Sequence, residues 1–384
     1  MHVLPSLEVG GMEKVVVNLS NGLDRQRYQV AICCIERGGA LQRELSPPGL
    51  PVYVMNKPEG VDYFLPFRLS RLFNRLNVDI VHTHSMGVFP YGCLAATFSR
   101  TPVYVHSEHG SFNLKTVRRR LAFQYGMRRT DRVLTVSETV KHQLLGVIDI
   151  PEKKITPIMN GVDTRRCAPD DAASAALRAA LDIPDGAPVI GAIGRLVTAK
   201  NYPTLLHVVA QLTRRHPQLV CLMVGDGPER ARLHAQADAL KLSGHVRWLG
   251  ERHDVAELLN LMQVYLLPSY SEGMSIALLE AMVAGRPIVV SDITANREVI
   301  RHGQTGWLVP PADIEQWAGA VARLLTDRVM AQQLGRAAQA TAQQFFSIPR
   351  MCRSFEALYE QLLEEKRGRV DPRGYRNQAV SVAR

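Results

Sequence analysis

Residues 268–292, PSYSEGMSIALLEAMVAGRPIVVSD, place two carboxylates eight positions apart around a predicted helix N-terminus. The run VYLLP over 264–268 is apolar and is followed by a turn, which predicts a short buried strand. Ser275 is a good N-cap for the apolar segment that follows it. Glu272 therefore lies in the loop after the strand, and Glu280 lies within the helix. A strand, a loop and a helix in this order form the repeating unit of a parallel α/β sheet.

The loop between this strand and helix suits a phosphate that is bound beside hydroxyl groups. A helix N-terminus presents unpaired amides and partial positive charge, both of which favour a phosphate. Carboxylates on either side accept hydrogen bonds from hydroxyls. A phosphate flanked by hydroxyl acceptors is the chemistry of a sugar nucleotide. The same pattern also fits an ordinary βα unit with a solvated polar face, and the spacing alone leaves both interpretations open.

The chain resembles the retaining glycosyltransferases of family 4, whose E-x7-E signature corresponds here to Glu272-GMSIALL-Glu280. Further motifs of that family follow in the family's order: LEVGGMEK (7–14), VHTHS (81–85), SEHG (107–110), VSE (136–138), NGVD (160–163), GRLVTAKN (194–201), VGDGPE (224–229) and GQTGWLVPPAD (303–313). The resemblance implies a GT-B fold and the transfer of a sugar from a nucleotide-diphosphate sugar. It is specific for the family and leaves the donor sugar and the acceptor open.

The whole chain alternates short apolar runs with longer amphipathic segments, which predicts parallel sheets with crossover helices. Its 384 residues, 46% of them hydrophobic, exceed a comfortable single core. The predicted fold class is α/β, with two doubly wound, Rossmann-like domains facing across a cleft. The predicted segments are an N-terminal domain over 1–163, a linker over 164–187, a C-terminal domain over 188–347, a helix that crosses back over 348–366, and a disordered tail over 367–384. By resemblance, the first domain binds the acceptor and the second binds the nucleotide sugar.

Composition limits the classes of binding partner and the cellular compartment that we expect for this protein. A net charge of +10 favours anionic partners. Nucleic acid is disfavoured among them, because the charge is dispersed, aromatic residues make up only 6%, and no recognition motif is present. The six cysteines form no C-x-x-C pair, which argues against a zinc site or a disulfide framework and predicts a reduced, cytoplasmic setting. The first residues show no basic leader before an apolar core, so no signal peptide is predicted.

Two basic and partly apolar stretches, 68–77 and 115–130, predict peripheral contact with an anionic membrane. They also fit ordinary helices that pack into a core and expose a basic side, and both interpretations stay open. The run 80–99 lacks charged residues but contains two histidines, a proline and several hydroxyls. It is therefore not predicted to span a membrane.

Residues just after strand ends are the best site candidates, because ligands of open α/β sheets bind beyond the carboxyl ends of the strands. Gly10 and Gly11 follow the first strand, where the missing side chains let backbone amides approach a diphosphate. A plain glycine turn is the alternative. Arg195 and Lys200 follow GAIG, and the resemblance implies that they neutralise the leaving nucleotide diphosphate. The alternative is a pair of solvent-exposed charges.

The resemblance also assigns the two glutamates. Glu280 accepts hydrogen bonds from the ribose hydroxyls, and Glu272 holds a hydroxyl of the donor sugar near the reaction centre. The amides of Gly273, Met274 and Ser275 complete this donor site. The implied mechanism is front-face attack through an oxocarbenium-like transition state. A covalent route with Glu272 as the nucleophile is the alternative.

Two histidines are further candidates. By resemblance, His109 in SEHG touches the donor sugar or the acceptor. His84 in VHTHS is a weaker candidate, because a single histidine at a strand end is more often structural. The pair His82 and His84 also suggests a metal site, but no third ligand of suitable spacing accompanies it in the sequence. No D-x-D pair lies near the site. We therefore predict no metal and no cofactor, with the nucleotide sugar as a substrate.

One loop departs from the family pattern, and other function classes stay open. Thr294 and Ala295 replace the glycines that usually precede the glutamate equivalent to Glu298, which leaves the identity of the sugar open. A nucleotide-sugar epimerase of the same architecture is one alternative. A non-catalytic protein that binds anionic ligands is another. A nicotinamide dehydrogenase is disfavoured, because no G-x-G-x-x-G follows a predicted strand.

Overall fold

A computed structural model describes residues 1–46, 49–110, 117–165 and 171–369 of the chain. The first sheet has seven strands: β1 His2–Leu4, β2 Ile32–Cys34, β3 Val52–Val54, β4 Ile80–His84, β5 Val103–Glu108, β6 Arg132–Thr135 and β7 Ile155–Pro157. Its helices are α1 Gly11–Gly22, α2 Leu65–Arg75, α3 Phe89–Phe98, α4 Val117–Arg129 and α5 Glu138–Leu145, with short 3-10 turns at Ala40–Glu44 and Glu152–Lys154.

The second sheet has six strands: β8 Val189–Ile193, β9 Val220–Val224, β10 Val246–Gly250, β11 Val264–Leu267, β12 Ile288–Ser291 and β13 Trp307–Val309. The helices of this half are α6 Asp171–Ala180, α7 Tyr202–Leu212, α8 Arg230–Ala239, α9 Val255–Leu261, α10 Ile276–Val283, α11 Thr294–Arg297, α12 Ile314–Thr326, α13 Arg328–Phe345 and α14 Ile348–Arg369, and a 3-10 turn covers Thr198–Lys200.

The strand order places the candidate loops. All pairings are parallel, in the orders β3-β2-β1-β4-β5-β6-β7 and β10-β9-β8-β11-β12-β13. In each sheet the chain winds outward in one direction and then in the other, so the crevice that binds ligands lies between β1 and β4 and between β8 and β11. The prediction of two doubly wound α/β domains is confirmed.

The central strands of the second sheet are apolar and buried on both faces, as is typical of parallel sheets. Every residue of β8, β9, β11 and β12 is buried. The helices cover these strands with one apolar side, and Trp317 of α12 is fully enclosed. Burial of this apolar surface is the dominant stabilising contribution in both halves.

Two chain segments connect the halves and run side by side. Val162 donates to Phe346 O at 2.9 Å, and Ile348 donates back to Val162 O at 3.1 Å. Beyond this point α14 packs against α1 and β5 of the first domain. Tyr28 there contacts Glu360 of α14 at 3.1 Å. Helix α6, in the predicted linker, packs against α9 of the second domain.

The tail prediction differs from the structure at one end. Helix α14 continues through 367–369, three residues beyond the predicted end at Lys366, and includes Gly368. The rest of the predicted tail, 370–384, lies outside the described residues. Five cysteines in the described part, at 33, 34, 93, 221 and 352, are free thiols. In the same part, each helix is too short or too polar to cross a membrane.

Candidate active site

Glu272 is fixed by two donors from the second domain. Ser275 caps α10 as predicted, its Oγ accepting from Leu278 N at 3.3 Å. In the loop before the cap, Ser269 Oγ donates to Glu272 Oε1 at 2.6 Å. Lys200 Nζ donates to the same oxygen at 2.6 Å, and only 17% of the Lys200 side chain and 9% of the Glu272 side chain are exposed. The loops after β8 and β11 are therefore joined by a largely buried ion pair.

Glu280 lies half-buried on α10. Tyr265 on β11 marks its position relative to Glu272. Burial raises the pKa of the Tyr265 hydroxyl well above its usual value, and the charges of both Glu272 and Glu280 raise it further. Both signature carboxylates therefore converge beside one buried tyrosine.

Arg195 is exposed at the end of β8. Its loop is tied to the turn after β9, because Leu196 N donates to Asp226 O at 2.9 Å. The guanidinium also acts on Glu13, in the first turn of α1. Burial raises the pKa of Glu13, and the Arg195 charge opposes that shift. Arg195 of the second domain therefore lies near enough to Glu13 of the first for their charges to interact.

Glu13 is a candidate that sequence reasoning did not select. Its carboxylate folds back over Gly10, where any larger side chain would collide with it. Gly10 itself gives α1 no side-chain cap. A carboxylate near an uncapped helix N-terminus is favourable. An acidic residue in the first turn after a double glycine was the available signal.

The 273–275 segment is pressed against the first domain. A Cβ at Gly273 would overlap the backbone carbonyl of His109, so the close approach requires glycine. Asn160 Nδ2 donates to Met274 O at 3.3 Å. Gly11 faces Ile276, the first residue of α10. The structure thus brings the loop of Gly10 and Gly11, together with His109, to the loop that contains Glu272 and Gly273.

The histidines form a buried network at the ends of β1, β4 and β5. His84 Nδ1 lies 3.0 Å from His109 Nε2, and His84 Nε2 lies 3.1 Å from His2 Nδ1. Burial lowers the pKa of His109 to about 3 and the pKa of His2 and His84 well below the usual range. These rings are therefore neutral at physiological pH.

A third histidine, His2, lies beside the H-x-H pair His82 and His84. The sequence did not reveal this neighbour. Parallel pairing sets His2 beside His82, and the ligand atoms of His2, His82 and His84 lie within 4.8 Å of one another. Both nitrogens of His82 are hydrogen-bonded at 2.6 Å, to Tyr359 and Ser107. A metal would have to displace these bonds and the His2–His84 bond, so the side chains fit a hydrogen-bonded network better than a ligand set.

The loop before Glu298, where Thr294 and Ala295 differ from the family pattern, links the two domains. Glu298 accepts from Glu138 N at 2.9 Å and from Thr139 N at 2.6 Å, at the N-terminus of α5. It also accepts from the Thr139 hydroxyl. A carboxylate of the second domain therefore caps a helix of the first. Local sequence patterns carry no signal for a cap supplied from 160 positions away.

The chain is similar to known proteins in sequence. Residues 9–166 match the model of Glycosyltransferase Family 4, and residues 174–341 match that of Glycosyl transferases group 1. The UDP-Gal:alpha-D-GlcNAc-diphosphoundecaprenol alpha-1,3-galactosyltransferase of Escherichia coli is 26% identical over 86% of this chain and 88% of its own length. A D-inositol 3-phosphate glycosyltransferase of Corynebacterium jeikeium is 27% identical over 92% of each chain.

Solved structures agree on the fold. The crystal structure of Anabaena Alr3699/HepE in complex with UDP and glucose has a TM-score of 0.83, at 21% identity, over 94% of this chain and all of that one. At this identity the likeness shows the fold. Taken with the two family domains, which follow one another along most of the sequence, it identifies the chain as a member of the family 4 and group 1 glycosyltransferases of the GT-B type.

Proposed function

We propose that this glycosyltransferase moves a sugar, with retention and without a metal ion or other cofactor, from a nucleotide-diphosphate sugar to a lipid-linked saccharide. The product belongs to bacterial exopolysaccharide or another cell-envelope glycan. The observation that carries the proposal is the ion pair between Lys200 and Glu272 at the switch point of the second sheet. It sets a fixed cation beside a hydroxyl acceptor at a helix N-terminus.

Lys200 and Arg195 are the cations that stabilise the leaving diphosphate. As the bond from the anomeric carbon to the diphosphate oxygen breaks, its electron pair moves onto the phosphate. Lys200 and Arg195 lie at the end of β8, where they stabilise that growing charge, together with the amides at the start of α10. Fixed cations of this kind are worth about 3–4 kcal/mol of transition-state stabilisation.

Glu272 suits hydrogen bonding better than nucleophilic attack. Its Oε1 already accepts from Lys200 and Ser269, which lowers its nucleophilicity. We infer front-face attack instead: the acceptor oxygen bonds to the anomeric carbon on the side that the diphosphate leaves, and its proton passes to a phosphate oxygen. His109, held neutral by burial, can hydrogen-bond a hydroxyl without taking its proton.

The acceptor and the location form a further part of the proposal. The Escherichia coli relative acts, by its name, on a diphosphoundecaprenol-linked sugar. Such acceptors lie in a membrane. The five described free thiols fit a reducing compartment, which supports action at the cytoplasmic side. We therefore propose a cytoplasmic, peripheral membrane enzyme.

The first domain offers a surface for that membrane. Three of the four apolar side chains of 68–77, those of Leu69, Leu72 and Phe73, are buried and cannot enter a bilayer, and Leu76 is half-buried. Other apolar side chains are exposed around α2, α3 and α4; we call them the aromatic surface, and they are Tyr63, Phe64, Phe67, Leu94, Phe98, Leu121 and Tyr125. Exposed arginines border them at 71, 75, 120 and 129. Aromatic side chains ringed by arginine suit an anionic interface.

A donor screen tests the activity. UDP-, GDP- and ADP-sugars are incubated with the protein and chelator, with and without lipid-linked acceptors, and nucleotide diphosphate release is followed. We expect release from one donor, faster with a lipid-linked acceptor, collapsing in Glu272→Ala. Product NMR then gives the anomeric configuration. Isomerised donor without a glycosylated product would support an epimerase, and loss of activity in chelator that added metal restores would overturn metal independence.

A further inference from the structure

His109, His84 and His2 form one continuous hydrogen-bonded row across three neighbouring strand ends. The facing nitrogens are 3.0 Å apart between His109 and His84 and 3.1 Å apart between His84 and His2. Strands β1, β4 and β5 are adjacent in the sheet, so the row runs from its centre toward the cleft. Only the His109 end adjoins the carboxylate loop, through the contact between its backbone and Gly273.

A row of neutral imidazoles has only two proton arrangements. Each ring carries one N–H and one bare nitrogen, so each hydrogen bond forces the orientation of the next. In one arrangement every N–H points away from His109 Nδ1, which is left as a bare acceptor. In the other every N–H points toward it, and His109 Nδ1 becomes a donor. The proton position on His109 is therefore coupled to His84 and His2.

The environment of His109 Nδ1 favours the first arrangement. Within the part of the chain that the structure describes, this nitrogen is enclosed and has no hydrogen-bond partner. An enclosed N–H without an acceptor is the rarer and more costly defect, whereas an under-used acceptor is tolerated better. Burial also keeps the neighbouring rings neutral, since it lowers the pKa of both His84 and His2. His109 then carries its proton on Nε2 and donates it to His84.

His82 holds the row in place without joining it. Its ring centroid lies 4.1 Å from that of His84. Its two nitrogens are both engaged by hydroxyls, Tyr359 on α14 and Ser107 on β5. The His82 ring, which lies tilted against His84, is therefore fixed from two elements and restricts how His84 can rotate.

We propose that His84 and His2 are positioning residues that fix His109 as its Nε2–H tautomer and keep its Nδ1 a bare acceptor, which a hydroxyl of the donor sugar reaches when donor binding opens the enclosed space around it. The link to catalysis rests on the proposed function. The tautomer itself does not, because it is a property of the folded chain.

The test measures the tautomer and the kinetics separately. Full-length protein labelled with ¹⁵N-histidine is compared with His84→Leu, His84→Asn and His2→Leu, and the His109 resonances are assigned from His109→Gln. We expect a bare Nδ1 and a protonated Nε2 on His109 in the wild type, and a mixture in His84→Leu. In His84→Asn the amide oxygen takes the place of His84 Nδ1 and accepts from His109 Nε2, which restores the wild-type tautomer.

For turnover, His84→Leu lowers kcat by about 10-fold or more, with the donor KM within a factor of about 2, and His84→Asn recovers most of the loss. His245→Asn, a histidine of the second domain bound to Leu219 O, is the matched control. A protonated His109 Nδ1 in the wild type, or an unchanged tautomer and kcat in folded His84→Leu, overturns the proposal. If the tautomer shifts as expected but wild-type protein consumes no donor, the positioning holds and the proposed function fails.

Discussion

Lys200 Nζ and Glu272 Oε1 lie 2.6 Å apart, and this ion pair joins the loops that follow β8 and β11. The pair is largely buried, and Ser269 supplies a second donor to the same oxygen. In the proposed mechanism, a donor sugar that hydrogen-bonds Glu272 binds next to the lysine that meets its phosphate. The proposal therefore couples recognition of the sugar to stabilisation of the leaving group.

Replacement of Lys200 tests this coupling. In Lys200→Ala the leaving phosphate loses a fixed cation, and Glu272 loses its partner. We expect kcat to fall by about 10² to 10³. The exposed Lys153, on the first domain, gives Lys153→Ala as a charge-matched control. Steady-state nucleotide release checks both variants, and a Lys200→Ala enzyme that keeps half of the wild-type kcat would contradict the role.

Glu298 predicts a second effect, on domain closure. Its carboxylate caps α5 of the other domain through Glu138 N and Thr139 N. In Glu298→Ala we expect the unfolding free energy to fall by about 1 kcal/mol, because Glu138 N and Thr139 N lose their acceptor while the Ser137 cap of α5 remains. We also expect the donor KM to rise, because the closed cleft is less favoured. Urea unfolding and donor titration measure the two effects. The exposed Glu257→Ala is the control, and unchanged values in both assays would show that the contact is not energetically coupled to closure.

The buried histidines predict the pH dependence of stability. Burial lowers the pKa of His2, His82 and His84 well below 6.5 and that of His109 to about 3. Below about pH 6.5 the unfolded chain binds protons that the folded chain does not, so stability is complete above that pH and falls as the pH drops. Each such histidine contributes about 1.4 kcal/mol per pH unit over that window.

Urea unfolding between about pH 7 and pH 5 measures this slope. We expect His84→Asn to reduce the slope by about one proton, since one buried base is gone. His253→Asn, at an exposed position, should leave it unchanged. Equal slopes in the wild type and His84→Asn would mean that His84 is already protonated when folded.

Sequence reasoning located the fold and most of the candidate loops, because both depend on local patterns. Alternation of apolar runs predicts parallel strands, and in such sheets the ends of β8 and β11 must be neighbours, which brings Lys200 to Glu272. His2 was missed, because its contact with His82 depends on strand register. The role of Glu298 as a cap was missed, because it depends on how two domains meet. Neither property is encoded in a window of neighbouring residues.

The aromatic surface predicts membrane binding that is separable from folding. Phe64 and Phe67 are 76% and 51% exposed at the start of α2, and Phe64 is the N-cap residue of that helix. Both side chains are mostly exposed, and Asp62 still accepts from the first amides of α2, so Phe64→Ser with Phe67→Ser should leave the fold stable. We expect binding to phosphatidylglycerol vesicles to weaken by about 10-fold or more, because two side chains no longer enter the interface.

Cosedimentation with vesicles measures this loss. Val329→Ser, 67% exposed on the second domain, removes apolar surface elsewhere and should bind as the wild type does. Arg71→Gln should weaken binding to phosphatidylglycerol at low salt and leave the weak binding to phosphatidylcholine unchanged, because only the anionic surface attracts the guanidinium. If the double serine variant sediments like the wild type, the membrane meets another face of the protein. If kcat on a soluble acceptor also stays unchanged in that variant while turnover of the lipid-linked acceptor falls, the aromatic surface acts by delivering the enzyme to its membrane substrate.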